Sequence, residues 1–163
     1  MSSAEYMTMS FDATRLLKIT ATGCAGLFAG AAFYINAADQ PARMTLDVAS
    51  CRRHWIEVYN RAKWFQGAMC MAGSLSGAAV YYLESEAENR ALWLAGAGVF
   101  VLVFPFTIFV MGPDIKKNLK EDVLETAGET WVLNHIKRWN KQHMFRTAFG
   151  LLAFDLFLLA LAN

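Results

Sequence analysis

Asn36, Arg43, Tyr59, Lys63, Gln66, Thr107, Trp139, His143 and Arg146 are the residues of this chain whose types could do chemistry together. Histidine exchanges a proton near neutral pH, and arginine holds an anion through a planar fork of donors. Amides, hydroxyls and aromatic rings around such groups are the usual fabric of a small-molecule site. Other chemistries find less support. Cys24, Cys51 and Cys70 have no CxxC spacing and read as small buried apolar residues. His54, His135 and His143 do not pair at helical spacing inside an apolar run, as a haem would require, and His54 and His135 are expected to face solvent or headgroups. No glycine-rich phosphate loop or metal-ligand spacing is present. Neither a metal nor a cofactor is therefore expected.

The elements that must position these residues follow from composition. Of 163 residues, 56% are hydrophobic and 18% charged, which suits a single membrane domain over 1–163 better than a soluble one. A net charge of +1 gives no clustered cationic excess for nucleic acid. Apolar stretches at 19–38, 65–83, 91–111 and 144–162 each approach the roughly 20 residues a helix needs to cross about 30 Å of hydrocarbon. The first is read as a retained span, not a signal peptide, and residues 1–10 as a weakly polar segment that could serve targeting. Two connecting segments, 39–64 and 113–143, are long and basic, whereas 84–90 is short and acidic. The first long segment carries Arg43, Arg52, Arg53, Arg61 and Lys63, and the second Lys116, Lys117, Lys120, Lys137, Arg138 and Lys141; only Arg15, Lys18 and Arg90 oppose them. The positive-inside rule then puts both long segments on the cytosolic, matrix or stromal side and both termini across the membrane. The mitochondrial inner membrane and the endomembranes are both open as locations.

Each long segment also has a helical apolar face. Met44, Val48, Cys51, Trp55, Val58 and Ala62 recur every three or four residues; Asp114 can cap a helix through Ile115, Leu119 and Val123, which Gly128 interrupts before Trp131, Ile136 and Trp139 resume. The GxxxG spacings Gly26/Gly30 and Gly73/Gly77 allow helix backbones to approach closely in lipid. The expectation is an all-α integral membrane four-helix bundle with amphipathic helical segments between spans one and two and between spans three and four. Asp155, the ionisable side chain in the core of the fourth span, is expected to make a structural polar contact inside the bundle.

Up-down alternation brings the end of span one, the start of span two, the end of span three and the start of span four to one membrane face. That face receives Asn36, Asp39, Gln40 and Arg43, then Tyr59, Lys63 and Gln66, then Pro105, Thr107, Pro113 and Asp114, then Trp139, His143 and Arg146. Tyr, Trp, Lys and Arg collect at helix ends by snorkelling alone. Asn36, Gln66 and Arg146 lie inside the apolar boundary, however, where an unpaired polar group costs several kcal/mol.

The ordered set Gly26-Leu27-Phe28-Ala29-Gly30, Asn36, Gln40-Pro41-Ala42-Arg43, Trp55-x3-Tyr59-x3-Lys63-x2-Gln66, Pro105-x-Thr107 with Pro113, and Trp139-x3-His143-x2-Arg146 resembles the family of small four-helix membrane proteins that includes the anthrone oxygenases of polyketide pathways. The family pattern has a histidine where this chain has Gln40, and Pro-Thr where it has Pro113-Asp114. The resemblance implies oxidation of a small planar phenolic molecule without metal or flavin. A ring methylene loses a proton, and the enolate passes an electron to dioxygen. On this reading His143 is the base, Arg43 and Arg146 stabilise the anion, Trp139 and Tyr59 flank the ring, and Asn36, Gln66 and Thr107 orient polar substituents. A second reading stands beside it: a non-catalytic accessory subunit of a larger membrane complex, for example a respiratory one, packed through the amphipathic segments.

Overall fold

The computed structural model describes residues 3–163, with side chains described from Ala13 onward; the first two residues of the polar amino-terminal stretch lie outside the described residues. Among the described residues every regular element is helical. Helix α1 (Ser3–Tyr34) runs through a π-helical turn (Ile35–Asp39) into the short α2 (Gln40–Arg43). Helix α3 (Val48–Leu83) follows, then α4 (Ala87–Val101), the single turn α5 (Val103–Pro105), a second π-helical turn (Phe106–Met111), α6 (Gly112–Asn118), α7 (Val123–Thr126) and α8 (Glu129–Ala162).

Helix starts follow local chemistry. The Asp47 side chain accepts from the Ser50 N–H at 3.0 Å and caps α3. Gly128, at φ +82°, takes the left-handed conformation that lets the chain turn into α8. Pro41 and Pro113 enter the first turns of α2 and α6, where no N–H is needed. Both π turns lie directly before these prolines.

Four long helices form a ring: α1 packs on α3 and α8, and α4 packs on α3 and α8. The interior is filled by rings set against glycines. A Cβ on Gly77 or Gly96 would come within 2.8 or 2.6 Å of Phe157, one on Gly73 within 2.7 Å of Phe100, and one on Gly150 within 2.7 Å of Phe28. The glycines thus receive phenyl rings, not neighbouring backbones. Gly30 has no such neighbour within 4 Å; half of the expected Gly26/Gly30 pair faces outward. At the end remote from the basic segments, Lys18 donates to Glu84 at 2.6 Å and holds that carboxyl below its ordinary range.

Three stretches are long enough to cross a membrane and contain an 18-residue segment apolar enough to do so: Ala13–Arg43, Ala87–Asn118 and Glu129–Ala162, the segments having mean hydropathies of 1.5, 2.4 and 1.8. Four were expected. The second expected span, 65–83, falls short because Gln66, Gly67, Gly73, Ser74, Ser76, Gly77, Tyr81 and Tyr82 dilute it. Expected breaks are also missing. The amphipathic segment and the span after it form one helix of 36 residues in α3, and the same fusion makes the 34 residues of α8. At 1.5 Å per residue these measure about 54 and 51 Å, each about 20 Å more than the 30 Å thickness of a hydrocarbon layer. The projecting ends gather α6 and α7 into a second core of Cys51, Trp55, Ile115, Val123, Val132, Ile136 and Trp139.

His135 departs from expectation: it is buried there, stacked on Trp131 at 5.3 Å and edge-on to Trp55 at 5.4 Å. Asp155 departs in the other direction. It is exposed on the outer face of α8 and has no ion pair or hydrogen bond among the described residues.

Candidate functional site

Where the bundle meets the second core, a cavity of about 140 Å³ lies between α3, α8 and the second π turn. Tyr59, Lys63 and Gln66 from α3, Thr107 from the π turn, and Trp139, His143 and Arg146 from α8 line it, with apolar walls from Ile35, Val103 and Phe104. The spacing Trp139, His143, Arg146 advances four and then three residues, which keeps all three on one face of α8. Tyr59 is held from behind by Trp55, with parallel rings 5.3 Å apart; Trp139 meets Trp55 edge-on at 5.7 Å and lies 4.7 Å from the His143 ring. Thr107 donates to the Val103 carbonyl at 2.6 Å, meeting a local backbone need within the widened turn.

Arg146 dominates the electrostatics. It is 7% exposed, donates from Nη2 to Gln66 Oε1 at 2.8 Å and lies 5.8 Å from the centre of the Phe28 ring. It forms no ion pair among the described residues. The other buried side-chain atoms of the lining without a protein partner are all donors: Arg146 Nε, Gln66 Nε2 and Trp139 Nε1. The wall therefore presents more donors than acceptors, and each one left unpaired costs about 1–3 kcal/mol. A ligand rich in acceptor oxygens, or an anion, would complement it.

Two residues expected in the site do not line the cavity. Arg43 is buried, pairs with Asp39 one helical turn earlier, and lies 5.8 Å from the Trp139 ring. Its charge is already neutralised. Asn36 sits on the far side of His143, where it bonds Asn140, Thr147 and the imidazole. Gln40 is likewise buried outside the cavity. Sequence reasoning missed Asn140 and Thr147, which lie three residues before and four after His143 and so share its face. It also missed Cys70 in the cavity wall, whose thiol donates to the Phe100 carbonyl at 3.1 Å. Among the described residues no group of three or more His, Cys, Asp and Glu side chains is arranged to hold a metal ion.

A helical membrane-type protein with a donor-rich cavity at one end of its bundle is the class that fold and site define. The family model described as anthrone oxygenase matches residues 55–156, more than half the chain, and the chain belongs to that family. The match includes every polar residue lining the cavity and begins after Asn36 and Arg43. Neither the curated proteins nor the solved structures hold a significant match to it.

Proposed function

We propose that this is a multi-pass membrane protein in which all four long helices cross the bilayer, and that its cavity binds a planar phenolic molecule of the anthrone type and oxidises it with dioxygen. Support for the fourth crossing comes from the orientation of α3. Gly73, Ser74, Ser76 and Gly77 are turned inward, while Phe65, Met71, Leu75 and Leu83 form its outer face. Low mean hydropathy in this helix reflects its packing surface, not its lipid surface.

In the reaction, a methylene C–H of the substrate breaks, its proton passes to His143, and its electron pair remains on the substrate as an enolate whose oxygen lies beside Arg146. The enolate gives an electron to dioxygen. Recombination and loss of water complete the balance: anthrone plus dioxygen yields anthraquinone plus water. Trp139 and Tyr59 bound the slot for the ring, and Gln66 with its free amide hydrogen meets a carbonyl or hydroxyl of the substrate. The observation that carries this reading is a buried guanidinium without a carboxylate, facing the same cavity as an imidazole.

The test is oxygen uptake by the purified protein with an anthrone, wild type beside His143→Ala. Turnover should fall on the order of 10²- to 10⁴-fold with the fold retained. Equal rates would remove His143 from the mechanism. The accessory-subunit reading draws on one observation, the exposed Asp155 on an otherwise apolar outer face, since a carboxylate there calls for a polar partner from another chain. No oxygen uptake by wild type across a panel of phenols, together with loss of a co-purifying partner in Asp155→Leu, would favour it.

A further inference from the structure

His143 has two ring nitrogens, and a neutral imidazole can accept a proton only at the one that carries no hydrogen. The surroundings of Asn36 decide which nitrogen that is. One terminal atom of the Asn36 amide lies 3.1 Å from the Asn140 backbone carbonyl and 2.6 Å from Asn140 Oδ1. A backbone carbonyl only accepts, so the Asn36 atom facing it must be the amide nitrogen, and the orientation of this amide is not a free choice. Oδ1 is thereby turned to the opposite side. There it accepts from the Thr147 hydroxyl at 2.6 Å and faces His143 Nδ1 at 3.2 Å. A nitrogen that faces an accepting oxygen at this distance must bring a hydrogen. Nδ1 is therefore the protonated position, and Nε2, which has no partner among the described residues, keeps its lone pair on a ring that lines the cavity.

We infer that Asn36, itself oriented by Asn140, is a positioning residue that locks His143 in the Nδ1–H tautomer and so makes Nε2 the proton acceptor of the site. This rests on the reading of the cavity as an oxidation site. The lock opposes the preference of free histidine in water, whose neutral ring carries its hydrogen mainly on Nε2. When the substrate C–H breaks, the proton goes to Nε2 and the electron pair stays on the enolate. The imidazolium keeps its Nδ1–H bond to Asn36, which becomes charge-assisted and stronger as the proton arrives. Asn36 acts on the base from behind and touches no substrate; the second-side hydrogen bond of a functional histidine has this role elsewhere.

Solid-state ¹⁵N spectra of histidine-labelled protein in lipid test the lock directly, with the His143 signals assigned by their loss in His143→Gln. Wild type should show protonated Nδ1 and bare Nε2 at His143. Asn36→Leu should move hydrogen to Nε2 and lower kcat on the order of 10- to 100-fold with KM changed less than about twofold. Thr147→Val, which leaves Asn36 in place, should retain the Nδ1–H form. An Nε2–H signal in wild type overturns the inference whatever the activity, and so does an Nδ1–H signal that persists in Asn36→Leu. Wild type with protonated Nδ1 that turns over no anthrone supports the lock and defeats the oxidation reading instead.

Discussion

Arg146 separates what this site contributes to folding from what it contributes to chemistry. Its one polar protein partner is neutral, the Gln66 amide, and no carboxylate in the bundle compensates its desolvation. A buried charge without a counter-ion carries an uncompensated desolvation cost that an apolar side chain of similar length removes, whereas leaving Gln66 unpaired costs about 1–3 kcal/mol. Arg146→Met should therefore unfold at a temperature equal to or above wild type while losing roughly 100-fold or more in oxygen uptake. Thermal unfolding in detergent beside the oxygen assay checks both halves; a clear loss of stability would assign the arginine to the fold. The residue types on α8 and the start of α3 were readable from sequence because both helices are regular, so spacing alone puts Trp139, His143 and Arg146 on one face. Asn36 was harder to place. It lies in a π-helical turn, where a pattern read at 3.6 residues per turn misplaces the side chain. The neutralisation of Arg43 by Asp39, by contrast, was available from their separation of four residues.

At the scale of elements, the glycines show why a motif is not yet a contact. Gly26/Gly30 and Gly73/Gly77 have identical spacing, yet Gly77 receives the Phe157 ring while Gly30 faces nothing within 4 Å. Spacing says which residues share a face; it does not say which face is turned inward, because that depends on the partner helix. Gly96 supplies the other side of the Phe157 slot from α4 and belongs to no GxxxG pair. Alanine at Gly77 or Gly96 would force this ring out of place, at about 1–3 kcal/mol for overpacking. Gly30→Ala should instead be neutral or gain up to about 1 kcal/mol through helix propensity. Unfolding temperatures of the three variants in one detergent test this, and a loss at Gly30 as large as that at Gly77 would contradict the packing described here. Element boundaries failed for a related reason: the sequence was divided at the edge of apolarity, but no glycine or proline interrupts 60–66 or 139–146, and a helix ends where hydrogen bonding fails, not where lipid does.

The whole molecule joins these parts into an asymmetric body, with a bundle at one end and a folded cap built from the two basic segments at the other. Charge asymmetry was plain in the sequence, whereas the cap was not, since its core forms only when α3, α6, α7 and α8 are brought together from distant positions. The orientation that follows depends on whether α3 crosses. If it does, Arg53 and Lys117 lie on the same side of the membrane and Glu88 on the other; if it lies against the surface instead, Arg53 shares the side of Glu88, because the apolar stretch from Ala87 to Asn118 separates only Glu88 from Lys117. All three positions are exposed, so each accepts a reporter without disturbing the core. Single cysteines placed as Arg53→Cys, Glu88→Cys and Lys117→Cys, in a background lacking Cys24, Cys51 and Cys70, should therefore divide when the protein is expressed in the inner membrane of bacteria and sealed spheroplasts are treated with an impermeant thiol reagent. Glu88→Cys is expected to react from outside, and the other two only after permeabilisation, in line with the excess of Lys and Arg on their side. Reaction of Arg53→Cys together with Glu88→Cys would leave three crossings and put α3 outside the bilayer. It would also open the Tyr59, Lys63 and Gln66 side of the cavity to water, which a site that stabilises a buried enolate cannot tolerate.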